Sequence, residues 1–251
     1  MASLSGKSRT RKGAKKKSRK AAKHDIALSK KLSKLLRHHP RQLTMTDAGF
    51  VKVAQILKFD DFQQYTVNDI ISVVEANDKQ RFGIDGTGCH MMIRANQGHT
   101  IKTINQDKLL SRVTSCSQIP ICVHGTYFKS WIVIKTDGLN KMQRNHVHMA
   151  VGTPEEKDVI SGMRSSCELV IYIDVEKAMK GGLIFYTSSN NVILCEGPIN
   201  PKYFSKVIQR SDGLNLLDAD AEGREEQAGE TKDSEVARGG EEGKVCGGSK
   251  R

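Results

Sequence analysis

Three histidines and an arginine are concentrated in one segment, which opens with His124-Gly125-Thr126 and closes with Arg144-Asn145-His146-Val147-His148-Met149. Buried strands ordinarily carry Val, Ile and Leu, and a histidine or arginine withdrawn from water is costly unless a partner compensates. Recurrence of these groups at two apparent strand edges points to side chains converging on a ligand. Arginine holds anions and histidine moves protons near neutral pH, so the ligand these types suit is an anion undergoing proton-coupled chemistry. The whole chain agrees: 251 residues carry a formal net charge of +12 and the pI is near 9.4. Nucleic acid and phosphorylated small molecules are the simplest partners for such a charge.

Cys89, Cys116, Cys122, Cys167, Cys195 and Cys246 form no C-x-x-C pair. They read as reduced thiols of an intracellular protein, with no zinc site expected. Nothing resembles a secretory leader, and no apolar run approaches the roughly 18 residues of a membrane span. The expected setting is cytoplasm or nucleus, with no membrane partner and a monomeric chain.

The elements that must position these residues lie between two tails. Ten Lys or Arg and no acid occur from Lys7 to Lys23. Such a density self-repels, so residues 1–24 are expected to be a basic disordered arm that could hold RNA or direct nuclear import. Residues 211–251, rich in Asp, Glu, Gly and Ser, read as an acidic disordered tail. In the first unit, 25–100, Leu28, Leu32, Leu35 and Leu36 form one apolar helical stripe that Pro40 must stop, leaving Arg37, His38 and His39 at its C-terminal end. Thr66 with Asp69 signals the capping box of a second helix, and Arg81–Ile84 and His90–Ala95 read as two strands joined by a Gly-rich turn. Residues 101–117 read as a linker. In the second unit, 118–210, short apolar runs at 121–123, 147–151, 169–174, 183–186 and 192–194 predict strands, with a helix over Tyr127–Lys135. Asn200 and Pro201 predict a last helix running through Ile208. No internal repeat and no G-x-x-x-x-G-K-[ST] loop occurs, so a nucleotide would be held in another way.

Six segments occur in the order seen in the RNA 2′-phosphotransferase family, which the chain resembles over roughly 28–208: Leu35-Leu36-Arg37-His38, Arg81-Phe82, Ile93 to Thr100, His124-Gly125-Thr126, Arg144-x-His146-x-His148, and Ser188-x-Asn190-x-Val192-x-Leu194. The resemblance implies an α+β fold, with an N-terminal winged-helix-like lobe followed by a β-rich lobe similar to the NAD-using ADP-ribosyltransferase fold. The implied activity is NAD-dependent removal of the splice-junction 2′-phosphate from ligated tRNA. The phosphate attacks ribose C1″ of NAD and nicotinamide leaves, forming an RNA-2′-phospho-ADP-ribose intermediate. The ribose 2″-hydroxyl then attacks phosphorus, releasing ADP-ribose 1″,2″-cyclic phosphate. The implied partners are NAD, consumed as a co-substrate, and tRNA or other RNA bearing an internal 2′-phosphate, and no metal is implied.

By resemblance, Arg37, His38, Arg81 and Arg144 form the phosphate-gripping and proton-relaying set, a role that suits arginine's bidentate fork and histidine's titration range. His124, Gly125, Thr126 and His146 are expected to bind NAD, with Ser188 and Asn190 approaching the nicotinamide pocket. Gln97, His99 and Thr100 are expected at the lobe interface, facing either the phosphate or the dinucleotide. Arg94 is expected to contact RNA or, more simply, solvent, and His148 is as readily an outward strand side chain. Arg37 and His39 would also be stabilised at a helix C-terminus with no function at all. Thr100 stands where the family has Ser, Ser165-Ser166 replaces an Arg-His-Gly-like stretch, and Asn191 takes a position often held by Gly. A glutamate common in other ADP-ribosyltransferases near the last strands is missing, which fits an acceptor that arrives already anionic. Two alternatives remain: ADP-ribose capping of terminal phosphates of RNA or DNA, and a non-catalytic RNA-binding protein.

Overall fold

A computed structural model describes residues 8–153, 156, 159 and 162–218, with side chains from residue 22 onward. The protein is α+β, with two antiparallel sheets, one of three strands and one of seven.

Helix α1 spans Ser8–Arg37. It therefore begins earlier than the disordered arm expected over 1–24 allows, because Lys, Arg and Ala are good helix formers. Leu28, Leu32, Leu35 and Leu36 are buried against Phe62, Ile70, Val73, Phe82 and Ile93. The helix stops three residues before Pro40, as the steric demand of proline requires. Helix α2 (Val53–Ile56) follows strand β1 (Val51–Lys52), and α3 (Val67–Glu75) starts at the predicted box: Asp69 N donates to Thr66 Oγ1 at 3.2 Å and Thr66 N donates to Asp69 Oδ2 at 2.7 Å. Strands β2 (Phe82–Asp85) and β3 (Met92–Ala95) pair as the expected ribbon, and β1 completes the sheet in the order β1-β3-β2.

Residues 101–117 are not a bare linker. They contain helix α4 (Gln106–Leu109) and strand β4 (Ser111–Arg112), which pairs with β8 (Phe185–Thr187) at the edge of the large sheet. That sheet runs β10-β7-β5-β6-β9-β8-β4, where β5 is Val123–Thr126, β6 Val147–Ala150, β7 Leu169–Ile173, β9 Val192–Cys195 and β10 Phe204–Gln209. Helices α5 (Phe128–Asp137) and α6 (Val175–Lys180) add to its core, where Trp131 stacks at 6.3 Å on Phe204.

The expected helix from Pro201 through Ile208 is replaced by one 3-10 turn, Pro201–Tyr203, and the strand β10. Asn200 caps that turn by accepting from Lys202 N at 3.0 Å. Phe204 and Val207 are spaced as on a helix, yet both are buried in a strand because a bulge between Phe204 and Lys206 shifts the register against β7. Beyond it, Ile208 bridges to Asn215, and Leu216 and Leu217 pack on the core, so the ordered unit passes 210. Residues 219–251 of the acidic segment lie outside the described residues. Among the described residues, five cysteines are free thiols, no helix is long and apolar enough to cross a membrane, and no group of three His, Cys, Asp or Glu could hold a metal ion.

Candidate active site

Arg37 occupies the last turn of α1, and the segment Gln97–Thr100 leaving β3 folds back onto it. Thr100 N donates to Arg37 O at 2.9 Å, and His38 Nδ1 lies 3.3 Å from Thr100 Oγ1. Gly98 has a φ of 88°, and a Cβ there would stand 3.6 Å from the Arg37 guanidinium, so the arginine lies flat against the glycine backbone. Arg37 Nε and Nη2 are buried without a partner. Burial, then Arg144, then Arg81 lower the pKa of Arg37 to about 10. Three guanidiniums thus share one region, and among the described residues no carboxylate forms an ion pair with any of them. An uncompensated buried cation is expensive, so the arrangement suits an anion.

Histidines surround this cationic pocket in the neutral form. His38 is lowered by burial, then by Arg37, Arg144 and His39. His99 is buried, held to about 3 by desolvation first and then by Arg37, and its Nε2 has no partner. His148 is also held to about 3, by burial and then Arg144. Its Nδ1–H donates to His146 O at 2.9 Å, which fixes the tautomer and leaves Nε2 a buried, unpartnered lone pair.

Arg81 precedes β2 and is held by Asn77, whose Oδ1 accepts from Arg81 Nη1 at 3.2 Å. Arg94 does not join the cluster through a bond: its guanidinium stacks 4.6 Å from the Phe50 ring and Nη1 donates to Ala48 O at 3.5 Å. It is one of the cations that lower His99.

The His124-Gly125-Thr126 segment is β5 itself. Strands β5 and β6 pair at a single position, Val123 with Ala150, and beyond it His124 Nδ1–H reaches across to His148 O at 2.8 Å. Burial lowers the pKa of His124, keeping the ring neutral with Nε2 as an acceptor. Thr126 is buried. The space left by the missing side chain of Gly125 is filled, since a Cβ there would collide with Met163 and Cys167.

Three residues expected to face NAD bond to protein groups. His146 turns toward α4, donating from Nε2 to Gln106 Oε1 at 2.6 Å with its ring 5.9 Å from Tyr186, while Gln106 Nε2 donates to Glu196 at 3.2 Å. Asn190 is buried and donates from Nδ2 to Lys79 O at 2.9 Å, across the lobe boundary, and Ser188 Oγ donates to Asn190 Oδ1 at 2.8 Å. Asn191 has φ 56°, the left-handed conformation expected of an Asn in a glycine position. Sequence reasoning leaves the direction of His148 open and misses Asn77, Gln106 and Met163 as parts of this region. The alternation of Arg144, His146 and His148 puts the first on one strand face with its neighbours but does not say which face. The others have no local signature.

The chain matches the RNA 2′-phosphotransferase, Tpt1 / KptA family over residues 23–197. It is 41% identical over 208 residues to tRNA 2′-phosphotransferase 1 of Danio rerio, covering 79% of this chain and 90% of that protein. With tRNA 2′-phosphotransferase 1 of Homo sapiens it is 38% identical over 195 residues, 74% of this chain and 76% of that one. A Schizosaccharomyces pombe relative is 42% identical over 215 residues, 84% of this chain, and the match spans 58% of that relative's length.

Proposed function

Because this chain belongs to the RNA 2′-phosphotransferase family, we propose that it removes an internal 2′-phosphate from ligated tRNA, with NAD as the co-substrate that accepts the phosphate. On this reading the three-stranded lobe is a winged-helix-like RNA lobe and the seven-stranded lobe is ADP-ribosyltransferase-like. The observation that carries it is the trio Arg37, Arg81 and Arg144 around buried Arg37 donors that lack a partner.

The residues present fit NAD. Between β5 and β6, His124 offers an acceptor nitrogen for a ribose hydroxyl and Thr126 a hydroxyl of its own. NAD supplies an electrophilic ribose carbon with nicotinamide as leaving group, and a ribose hydroxyl for the second displacement. The chain supplies the rest. Arg37 Nε and Nη2 form the fork that grips two phosphate oxygens, and Arg81 and Arg144 neutralise charge that builds on the phosphate as it is transferred. A dianion beside His38 raises its proton affinity, so His38 takes up a proton on substrate binding and delivers it to the departing 2′-oxygen of the RNA. Thr100, bonded to both Arg37 O and His38, sets the angle between fork and imidazole.

The test is to incubate the chain with NAD and a short RNA carrying one internal 2′-phosphate, and to resolve products by mass. Loss of phosphate with ADP-ribose cyclic phosphate is the expected result. ADP-ribose accumulating on RNA termini would favour capping, and unconsumed NAD would leave a binding role.

A further inference from the structure

Arg81 stands on a stretch of backbone that its own sequence does not favour. Gln80, just before it, has φ 43°, a conformation that costs energy for a residue with a side chain. Side-chain amides on three sides compensate. Asn96 Nδ2 donates to Gln80 O at 2.7 Å, and Asn77 Oδ1 accepts from Arg81 Nη1 at 3.2 Å and from Arg81 N at 3.4 Å. Both belong to the small lobe. The third is Asn190 Nδ2, donating to Lys79 O at 2.9 Å from a position 111 residues away, on the β8–β9 hairpin of the large sheet.

The Asn190 amide is locked. It is 1% exposed, and Ser188 Oγ, which accepts from Val192 N at 3.1 Å, donates to Asn190 Oδ1 at 2.8 Å. The hydroxyl, closer to Asn190 Oδ1 than to its other acceptor Val192 O at 3.3 Å, and the Lys79 carbonyl, which needs a donor, together set the amide oxygen toward Ser188 and the NH2 toward Lys79. Both polar atoms of the Asn190 side chain thus already bond to protein, and at 1% exposure the side chain offers little surface to a dinucleotide.

We propose that Asn190, oriented by Ser188, is a positioning residue for Arg81, fixing from the opposite lobe the strained turn that aims this arginine at the phosphate. This assignment rests on reading the arginine cluster as the phosphate-transfer site. It replaces a nicotinamide contact for Asn190 with a mechanical one, and makes the aim of Arg81 depend on how the two lobes are seated.

The experiment uses Asn190→Asp, which has the same shape and keeps the acceptor for Ser188 but sets an oxygen against Lys79 O. Single-turnover phosphate release at saturating NAD, NAD affinity of the free protein, and amide hydrogen exchange at residues 80–82 are measured in the natural and Arg81→Ala backgrounds. Phosphate release is expected to fall about tenfold in the natural background and less than about twofold with Arg81→Ala, because the two changes act through one arginine. NAD affinity stays within about twofold and exchange at 80–82 accelerates. An equal loss in both backgrounds, or weaker NAD binding with release unchanged at saturation, overturns the proposal. Should Asn190→Asp fail to fold, Ser188→Ala, which frees the amide to turn while also removing the acceptor of Val192 N, gives the same readouts. If the natural protein releases no phosphate, the functional reading fails, whereas unchanged exchange at 80–82 defeats the positioning role on its own.

Discussion

Arg37 is where sequence and structure meet most closely. As an isolated residue at a helix C-terminus it has a sufficient electrostatic reason to be there. Its buried, unpartnered Nε and Nη2 exceed what that reason requires. The arginines and His124 are legible in the sequence because their chemistry is unusual inside an apolar pattern. The place of His148 is not, since strand alternation alone leaves open which way it points. The same burial predicts a pH dependence. Folded-state pKa values of His99 and His148, held to about 3, lie below the ordinary value near 6.5. Below that ordinary value the unfolded chain binds protons that the folded one refuses. Stability is therefore full above about pH 6.5 and declines as pH falls toward 3, each histidine contributing a slope of up to about 1.4 kcal/mol per pH unit. Denaturation midpoints measured from pH 7.5 to 5 check this, and the His99→Asn/His148→Asn double variant is expected to show a flatter slope.

At the level of elements, the sequence is a sound guide where local chemistry decides. The Thr66–Asp69 box and the stop before Pro40 both appear at the expected residues. It misleads where distant pairing decides: Phe204 and Val207 fit a helix until β7 draws them into a bulged strand, and Ser111–Arg112 becomes a strand only by meeting β8. Gly125 belongs to this scale too, because its role depends on what covers it. Gly125→Ala is expected to displace Met163 and Cys167 from the strand, lowering stability by about 1–3 kcal/mol through overpacking, and to weaken NAD binding. Thermal unfolding and NAD titration of the variant measure both effects. Unaltered NAD affinity would mean the strand does not face the dinucleotide.

Across the whole molecule, two sheets of different size meet along one boundary, with the arginines that we propose grip the phosphate contributed by both lobes: Arg37 and Arg81 from the small one, Arg144 from the large one. From Ser8 the basic N-terminal segment continues α1, and we propose that it contributes RNA affinity and not chemistry. Deleting residues 1–23 is expected to weaken RNA binding and make its salt dependence shallower, by about 0.7 in log–log slope for each RNA phosphate that the segment neutralises, while turnover of a short oligonucleotide persists. Salt titrations of full-length and shortened chains, followed by turnover assays, test both halves. The central claim is that the three arginines form a receptor for one phosphate. Its most direct test is to compare, without NAD, the affinity of the chain for one short RNA with and without its internal 2′-phosphate, in the natural protein and in Arg37→Lys. The structure predicts that the phosphate tightens binding about tenfold or more, and that Arg37→Lys, which lacks the fork, loses most of that gain while binding the plain RNA as before. Equal affinity of the natural protein for both RNAs would contradict it.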